Sequence, residues 1–458
     1  DDRLFVCRER QLNSKEDRLI CREVVTHVAK GVIADQVYAQ RLYSKEEILE
    51  LLEKVGFSDV TISEDWIKAG SMRNQDLGMM TQRILSTGFA RKDWTPFRKN
   101  SKKRLVQIAV VLGDFRKPDP VKPNMTFDDD DFYTLNELKS ALASIPDREF
   151  IFLDDHDRLL HDLLRLRGRI DYVFNLCDEG HYNDPRRELH VPAALEILGT
   201  PYTGSDPRCL ATCYDKSAIR GIAREMGIPV PTSFMVLPSS EGAQIPPSYP
   251  VIVKPNFGDS SFGIFADSVV YDEEALLNAV DRLKKQFGYD KPILVEEFLP
   301  GKDLSVSIIG QPDGSNYILS ITQEDYSALP SNLPRICGYE AKWDPESPYW
   351  KIKAIPADLP QEIEEEITIC SLLLLARLEC RDYVRLDWRL DGNGRPKLLE
   401  VNPNPGWCWD GHLAKASASA GMSYAEMLKA VLEVAEERLG VKSLLGKPKD
   451  TKSRKVLY

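Results

Sequence analysis

The chain has 458 residues, 43% of them apolar and 29% charged, and a formal net charge of −11. That length is too great for one hydrophobic core, so three or four lobes are expected. The acidic balance excludes general nucleic-acid affinity, because no basic surplus exists to displace phosphate counterions, and no run of about 18 apolar residues marks a membrane span. Taken in order, residues 1–100 read as a unit of their own. Leu4-Phe5-Val6-Cys7 reads as a strand. Ser44 begins a helix, with Glu47 as its capping-box carboxylate, and Gly56 ends it. Val60-Thr61-Ile62 and Thr81 to Ser86 follow as strands, and no signal peptide is read.

The run Arg41 to Phe57, with Arg73-Asn74-Gln75-Asp76-Leu77-Gly78 ahead of the last strand, resembles the C-terminal part of class I SAM-dependent methyltransferases. The glycine-rich first turn that such enzymes use for their cofactor is absent, so a structural α/β appendage is the simpler reading. Arg91 to Lys103 is polar and basic and reads as a linker.

The near-continuous apolar run Leu105 to Leu112 has the character of a strand buried on both faces. Phe150 to Leu153 and Tyr172 to Leu176 follow, which predicts a small parallel α/β sheet. Pro118 to Asp131, including Asp128-Asp129-Asp130-Asp131, reads as a solvated loop. Asn175 to Gly180 sits where such sheets place ligands, beyond a strand's carboxyl end. The cysteines are scattered, and Cys209 and Cys213 lack a matching second pair. Free thiols in a reducing, cytoplasmic compartment are expected.

Further on, the strand Val251-Ile252-Val253-Lys254-Pro255 opens into a loop from Asn256 to Gly263. Its glycines admit close backbone approach to phosphate, and Ser260 and Ser261 add donors. Ile293 to Leu299 is a strand and turn carrying Glu296 and Glu297. Gln323 to Trp350 has no strong period and reads as a long functional loop, and Pro360 to Leu378 as an amphipathic helix. Tyr383 to Trp388 and Lys397 to Asn402 are two alternating strands joined by Asp391-Gly392-Asn393-Gly394, a hairpin turn. With period 2, Arg385, Asp387, Glu400 and Asn402 share one face. Three oxygen donors and a guanidinium suit hard divalent cations and phosphates. Tyr424 to Leu439 closes the chain as a helix, before a basic tail.

In combination these motifs resemble the D-alanine–D-alanine ligases and their ATP-grasp relatives, over roughly Leu105 to Gly440. The segments carrying the resemblance are Asn175 to Ser205, Asp215-Lys216, Lys254 with its loop, Glu296 to Asp303, Tyr339-Glu340-Ala341-Lys342, and the final hairpin. The resemblance implies an α/β ATP-grasp fold behind the N-terminal appendage. Its boundaries are a pre-ATP-grasp lobe at 103–214, a small α+β lobe at 215–298, a larger C-terminal α+β lobe at 299–440, and a tail at 441–458. It also implies ATP with two Mg²⁺ ions, Mn²⁺ serving as a substitute. Asp387, Glu400 and Asn402 would be the metal ligands. Lys216, Lys254, Ser260 and Ser261 would hold phosphates. Glu296 would accept from the adenine amine, Glu297, Phe298 and Leu299 would line the ring edge, and Asp303 would hold the ribose. Lys342 would cap the γ-phosphate, and Arg385, with Ser260, would steady the transition state.

The implied reaction joins a small-molecule carboxylate to an amine through an acyl phosphate, with no nucleic-acid or membrane partner and a homodimer left open. A non-ligating ATP-binding module of a larger assembly is the alternative. The chain departs from the family's pattern at Cys177 and from Trp407 to Gly411. Trp407, Trp409 and Asp410 suggest a pocket for a larger, cationic or aromatic amine, unless both tryptophans pack the core.

Overall fold

The computed structural model describes residues 4–13, 17–63, 85–90, 105–239, 246–258, 260–285, 288–313 and 316–441. It divides into two compact units, Asp1–Lys102 and Lys103–Tyr458.

In the first unit, β1 (Leu4–Leu12), β2 (Arg18–His27) and β3 (Gly31–Arg41) form an antiparallel sheet in that order. Only the start of β1 is foreshadowed by the sequence reading. Then come α1 (Lys45–Lys54), β4 (Phe57–Ser63) and β5 (Leu85–Ala90), the strands pairing antiparallel. Ser44 and Glu47 make both hydrogen bonds of the expected capping box. The stretch Arg73 to Gly78, most of the expected strand from Thr81, the basic linker (except Leu105 beyond it) and the tail after Val441 lie outside the described residues.

The second unit begins with β6 (Val106–Val111), α2 (Asp129–Ala143), β7 (Arg148–Leu153), α3 (Leu159–Leu166) and β8 (Tyr172–Asn175). The three strands form the expected parallel sheet, in the order β7-β6-β8. β6 is buried almost throughout, which explains its continuous apolar sequence. The expectation that the acidic run lies in a loop is corrected. Asp128 caps α2 by accepting from Asp130 and Asp131 amides, and Asp131 returns a bond to the Asp128 amide. Carboxylates satisfy the free amides of a helix start and oppose its positive dipole end. Asp128→Ala is expected to cost about 1 kcal/mol in urea-denaturation stability.

Next come α4 (His190–Leu198), α5 (Pro207–Tyr214) and α6 (Lys216–Glu225). β9 (Ser233–Val236), β10 (Val251–Pro255), β11 (Val269–Val270), α7 (Glu273–Lys285) and β12 (Ile293–Glu297) follow. The strands form an antiparallel sheet, β11-β10-β12-β9, backed by Leu276, Ala279 and Leu283 of α7.

The last sheet is built from β13 (Asp303–Gly310), β14 (Asn316–Ile318), β15 (Thr322–Asp325), β16 (Lys353–Pro356), β17 (Asp382–Leu390) and β18 (Pro396–Asn402). Its order is β16-β15-β13-β17-β18, with β14 on β13. The expected loop from Gln323 to Trp350 is corrected at both ends, since residues 323–325 pair in β15 and Pro348–Lys351 form a 3-10 turn, while α8 (Glu340–Trp343) lies between them. Between β16 and β17 runs α9 (Gln361–Leu378), whose Leu374 and Leu375 are buried while Leu373 faces out. α10 (His412–Ser419) and α11 (Tyr424–Leu439) complete the unit. Among the described residues no helix is long and apolar enough to cross a membrane.

Asp382, fully buried, ties these parts together. It accepts from Gly204 N, Gln311 Nε2 and the guanidinium of Arg438 on α11. Gly204 follows Tyr202, which bridges to Val173 of β8, so the β8 side of the parallel sheet is held against the end of β17.

Candidate functional site

The hairpin of β17 and β18 is in the expected register. Arg385 stands opposite Asn402 and Asp387 opposite Glu400, with a bulge after Asp387. Arg385 Nε and Nη2 both donate to Asp387, at 2.9 Å. Asn402 Nδ2 donates to Asp387 Oδ2 at 2.9 Å and to Glu400 Oε1 at 3.3 Å. From β13, Ser305 Oγ donates to Asp387 Oδ1 at 2.7 Å. Lys216 Nζ, at the start of α6, lies 3.3 Å from Glu400 Oε2.

Burial works to raise the pKa of both carboxylates. It prevails at Asp387. At Glu400 the charges of Lys216, Arg385 and Lys254 reverse it and hold the carboxyl well below its usual range. Among the described residues no three His, Cys, Asp or Glu side chains form a metal cage. The set here is two carboxylates and an amide joined by hydrogen bonds. Rotating the Asn402 amide would add its oxygen to theirs, the all-oxygen donor set that Mg²⁺ takes. The residues present therefore fit the ion.

Twelve of the fourteen sequence-predicted residues line one cavity. They are Lys216, Lys254, Ser261, Glu296, Glu297, Phe298, Leu299, Asp303, Lys342, Arg385, Asp387 and Glu400. The other two, Ser260 and Asn402, line an adjoining cavity that shares Lys216, Ser261, Lys342, Arg385 and Glu400 with the first. Of the described residues between Asn256 and Gly263, Ser261 lines both cavities, and Gly258, Ser260 and Phe262 line the second. Gly263 has φ +74°, and a Cβ there would come within 2.9 Å of Leu283, so both backbone and space demand glycine. Ser261 Oγ donates to Cys337 O at 3.0 Å, and Tyr339 N to Ile264 O at 2.7 Å, joining this loop to the segment bearing Lys342.

Several anchoring partners were missed. Arg220 Nη1 lies 2.6 Å from Glu296, which also pairs with Lys254, and all three side chains are buried. Arg220 sits one turn after Lys216 on the same face of α6, and that spacing was a usable signal. Glu297 is held by Thr232 N at 2.9 Å and by Lys397. Asp303 accepts from Tyr326 Oη at 2.7 Å and Arg389 Nη1 at 2.9 Å, and the Arg389 guanidinium stacks on Phe298. Of the two tryptophans, Trp407 is buried in the core and Trp409 is 40% exposed, edge-on to Tyr133.

Glu324 and His412, also missed, line the first cavity 3.6 Å apart. Burial, then repulsion from Asp303 and Asp387, raises the Glu324 carboxyl to about 7. The folded state then binds more protons than the unfolded one between roughly pH 4.5 and 7. The stability this proton contributes is complete below that window and lost as pH rises through it. Glu324→Gln should therefore stabilise the unliganded protein by on the order of 2–3 kcal/mol at pH 8, and by almost nothing at pH 4. Urea unfolding at both pH values measures this.

A parallel sheet followed by two antiparallel sheets, with a polar cleft lined from both, is the architecture of the ATP-grasp class. A family model described as the D-Ala–D-Ala ligase C-terminus matches residues 223–433. Protein y4sG of Sinorhizobium fredii, described as uncharacterized, is 30% identical over 276 residues, which is 60% of this chain and 77% of that protein. D-alanine–D-alanine ligase of Bordetella pertussis is 30% identical over 248 residues, 53% of this chain and 72% of that enzyme. The crystal structure of D-alanine–D-alanine ligase from Bacillus anthracis complexed with ATP superposes with a TM-score of 0.54. It covers 73% of this chain and 99% of that one at 23% identity. The chain belongs to the D-alanine–D-alanine ligase family.

Proposed function

We propose that the second unit is an ATP-dependent ligase that joins an amino-acid-type carboxylate to an amine. The observation that carries this reading is the convergence of Asp387, Glu400 and Asn402 with Lys216, Lys254, Lys342 and Arg385 across two adjoining cavities. In this reading the first cavity takes ATP and the second the reacting acid and amine. The acid's carboxylate attacks the γ-phosphorus, the bond to the bridging oxygen breaks, and ADP leaves. The amine then attacks the acyl carbon, phosphate departs, and the nitrogen loses a proton.

Lys216, Lys254 and Lys342 place fixed positive charge along the phosphates, and Arg385 faces the charge that develops between acid and phosphoryl group. Mg²⁺ held by Asp387, Glu400 and Asn402 would neutralise phosphate charge and orient the phosphoryl group. Glu296 and Asp303, assigned to adenine and ribose, hold their carboxylates in place through Arg220, Lys254, Tyr326 and Arg389. For the first unit, the capped helix α1 and the strands β4 and β5, among the described residues, support a methyltransferase-like appendage.

The deciding experiment is ADP release from Mg·ATP across D- and L-amino acids, singly and in pairs, with mass spectrometry of products. Substrate-dependent ADP with a new dehydrated product is expected. ATP binding without turnover on any pair would instead favour a non-ligating module.

A further inference from the structure

A third cavity adjoins the second through Asp178, Ser260 and Gly406. It lies beyond the carboxyl ends of β6 and β8, and its chemistry is unlike that of the phosphate cleft. Four carboxylates line it, from Asp119, Asp131, Asp178 and Glu179, against one lysine, Lys122. The first two are provided for. Asp119 accepts from Val121 N at 2.9 Å, and Asp131 pairs with Lys122 and with the Asp128 amide. Asp178 and Glu179 are provided for only in part, by backbone amides, by each other and, at Asp178, by the Trp407 side chain. Asp178 Oδ1 and Glu179 Oε2 are sealed from solvent and have no hydrogen-bond partner.

A carboxylate oxygen buried without a donor is costly, and a pair of them side by side more so. The backbone nevertheless makes room for both. A Cβ on Gly113 would come within 2.7 Å of the Glu179 carboxyl carbon, and one on Gly406 within 3.4 Å of Asp178 Oδ2. Burial, then the repulsion of Glu188, raises Asp178 to about 7, and burial with the charge of Asp178 pushes Glu179 well above its usual range. Both shifts favour the protonated carboxyls in the empty cavity, and a cation bound between them would draw both back toward the charged form.

The walls say which counterion fits. Phe115, Phe127, Trp343 and Trp407 line the same space. Aromatic faces attract ammonium and guanidinium groups, whereas a hard metal ion seeks oxygen donors on every side. The rim already shows that chemistry, with Lys122 Nζ 4.9 Å from the ring centroids of both Phe127 and Trp343. Resting on the ligase reading of the adjoining cleft, we propose that this cavity receives the cationic end of a basic amino-acid substrate. Its ammonium or guanidinium group would sit between Asp178 and Glu179, and its reacting end would lie in the second cavity.

The test measures binding to the full-length protein by calorimetry, with Mg²⁺ and a non-hydrolysable ATP analogue. Ornithine and lysine are compared with norvaline and norleucine, which keep the carbon chain and lack the second charge, each as D and L forms. At least tenfold tighter binding of the cationic members is expected, narrowing at least fivefold in Asp178→Asn and in Glu179→Gln. Equal affinities in the unmodified protein, or no binding of either class, would overturn the proposal. An undiminished preference in both folded variants would do the same. The comparison on the unmodified protein decides the matter if a variant fails to fold. ADP release that favours norvaline as much as ornithine would remove the cavity assignment and leave the ligase standing. A cationic preference in binding with no ADP release from any pair would do the reverse.

Discussion

Glu400→Gln is expected to lower substrate-dependent ADP release by about 10²–10³-fold, as loss of a preorganised charge at a phosphoryl-transfer site does. The substitution keeps an oxygen in nearly the same place and removes only the negative charge. In the unliganded site that charge faces Lys216 at 3.3 Å and the guanidinium of Arg385 through Asp387. A bound Mg²⁺ would compete with these cations for the same oxygens, so removal of one carboxylate weakens metal binding directly. Asn402→Ala tests the same set differently. It removes the amide that links both carboxylates, and should raise the Mg²⁺ concentration for half-maximal rate more than it alters the KM for either organic substrate. If both variants turn over at the unmodified rate with unchanged Mg²⁺ dependence, the metal assignment to β17 and β18 is wrong.

This hairpin was legible in the sequence because everything that defines it is local. Two alternating strands and a glycine-bearing turn set the register, and period 2 puts the four polar residues on one face. The parallel sheet was equally legible from its apolar runs, since a strand buried on both faces cannot alternate. What the sequence hid is what tertiary contact decides. Strand β3 is exposed throughout and β2 is largely half-buried, and both mix apolar with polar residues, so neither carries a strong buried-strand signature. The run at Asp128 reads as a solvated charge cluster until its geometry as a helix cap is seen. Asp178 and Glu179 were noted only as part of a strand end. Their surroundings depend on residues brought from beyond β6 and beyond β18, Gly113 against Glu179 and Gly406 against Asp178. Glu296 reads as a strand-end carboxylate beside Glu297. Its partner Arg220 lies 76 residues away in the chain, and no local pattern links the two.

That triad sets the second large effect. Glu296→Leu should destabilise the unliganded protein by about 3–5 kcal/mol, the usual cost of removing one member of a buried ion pair. Glu296 and Arg220 are each 2% exposed and Lys254 6%, so neither cation can turn to water when the carboxylate is gone. Arg220 keeps one bond, to Pro231 O at 2.8 Å, and its Nε is already buried without a partner. Lys254 loses its ion-pair partner and keeps only the more distant charge of Glu400. The size of the change follows from two stranded charges rather than from the missing hydrogen bonds.

Glu296→Gln then separates two roles. Its amide oxygen can still accept from an adenine amine, while the charge that holds Arg220 and Lys254 is lost. If the carboxylate mainly pins Lys254, the Gln variant should share most of the fall in thermal midpoint and bind ATP more weakly, because the phosphate-facing lysine is no longer held. If it mainly reads adenine, Gln should bind ATP nearly as well as the unmodified protein, and only Leu should discriminate poorly between ATP and GTP. Thermal unfolding together with ATP and GTP titrations of both variants distinguishes these outcomes. The buried geometry of Arg220, Glu296 and Lys254 leads us to expect the first.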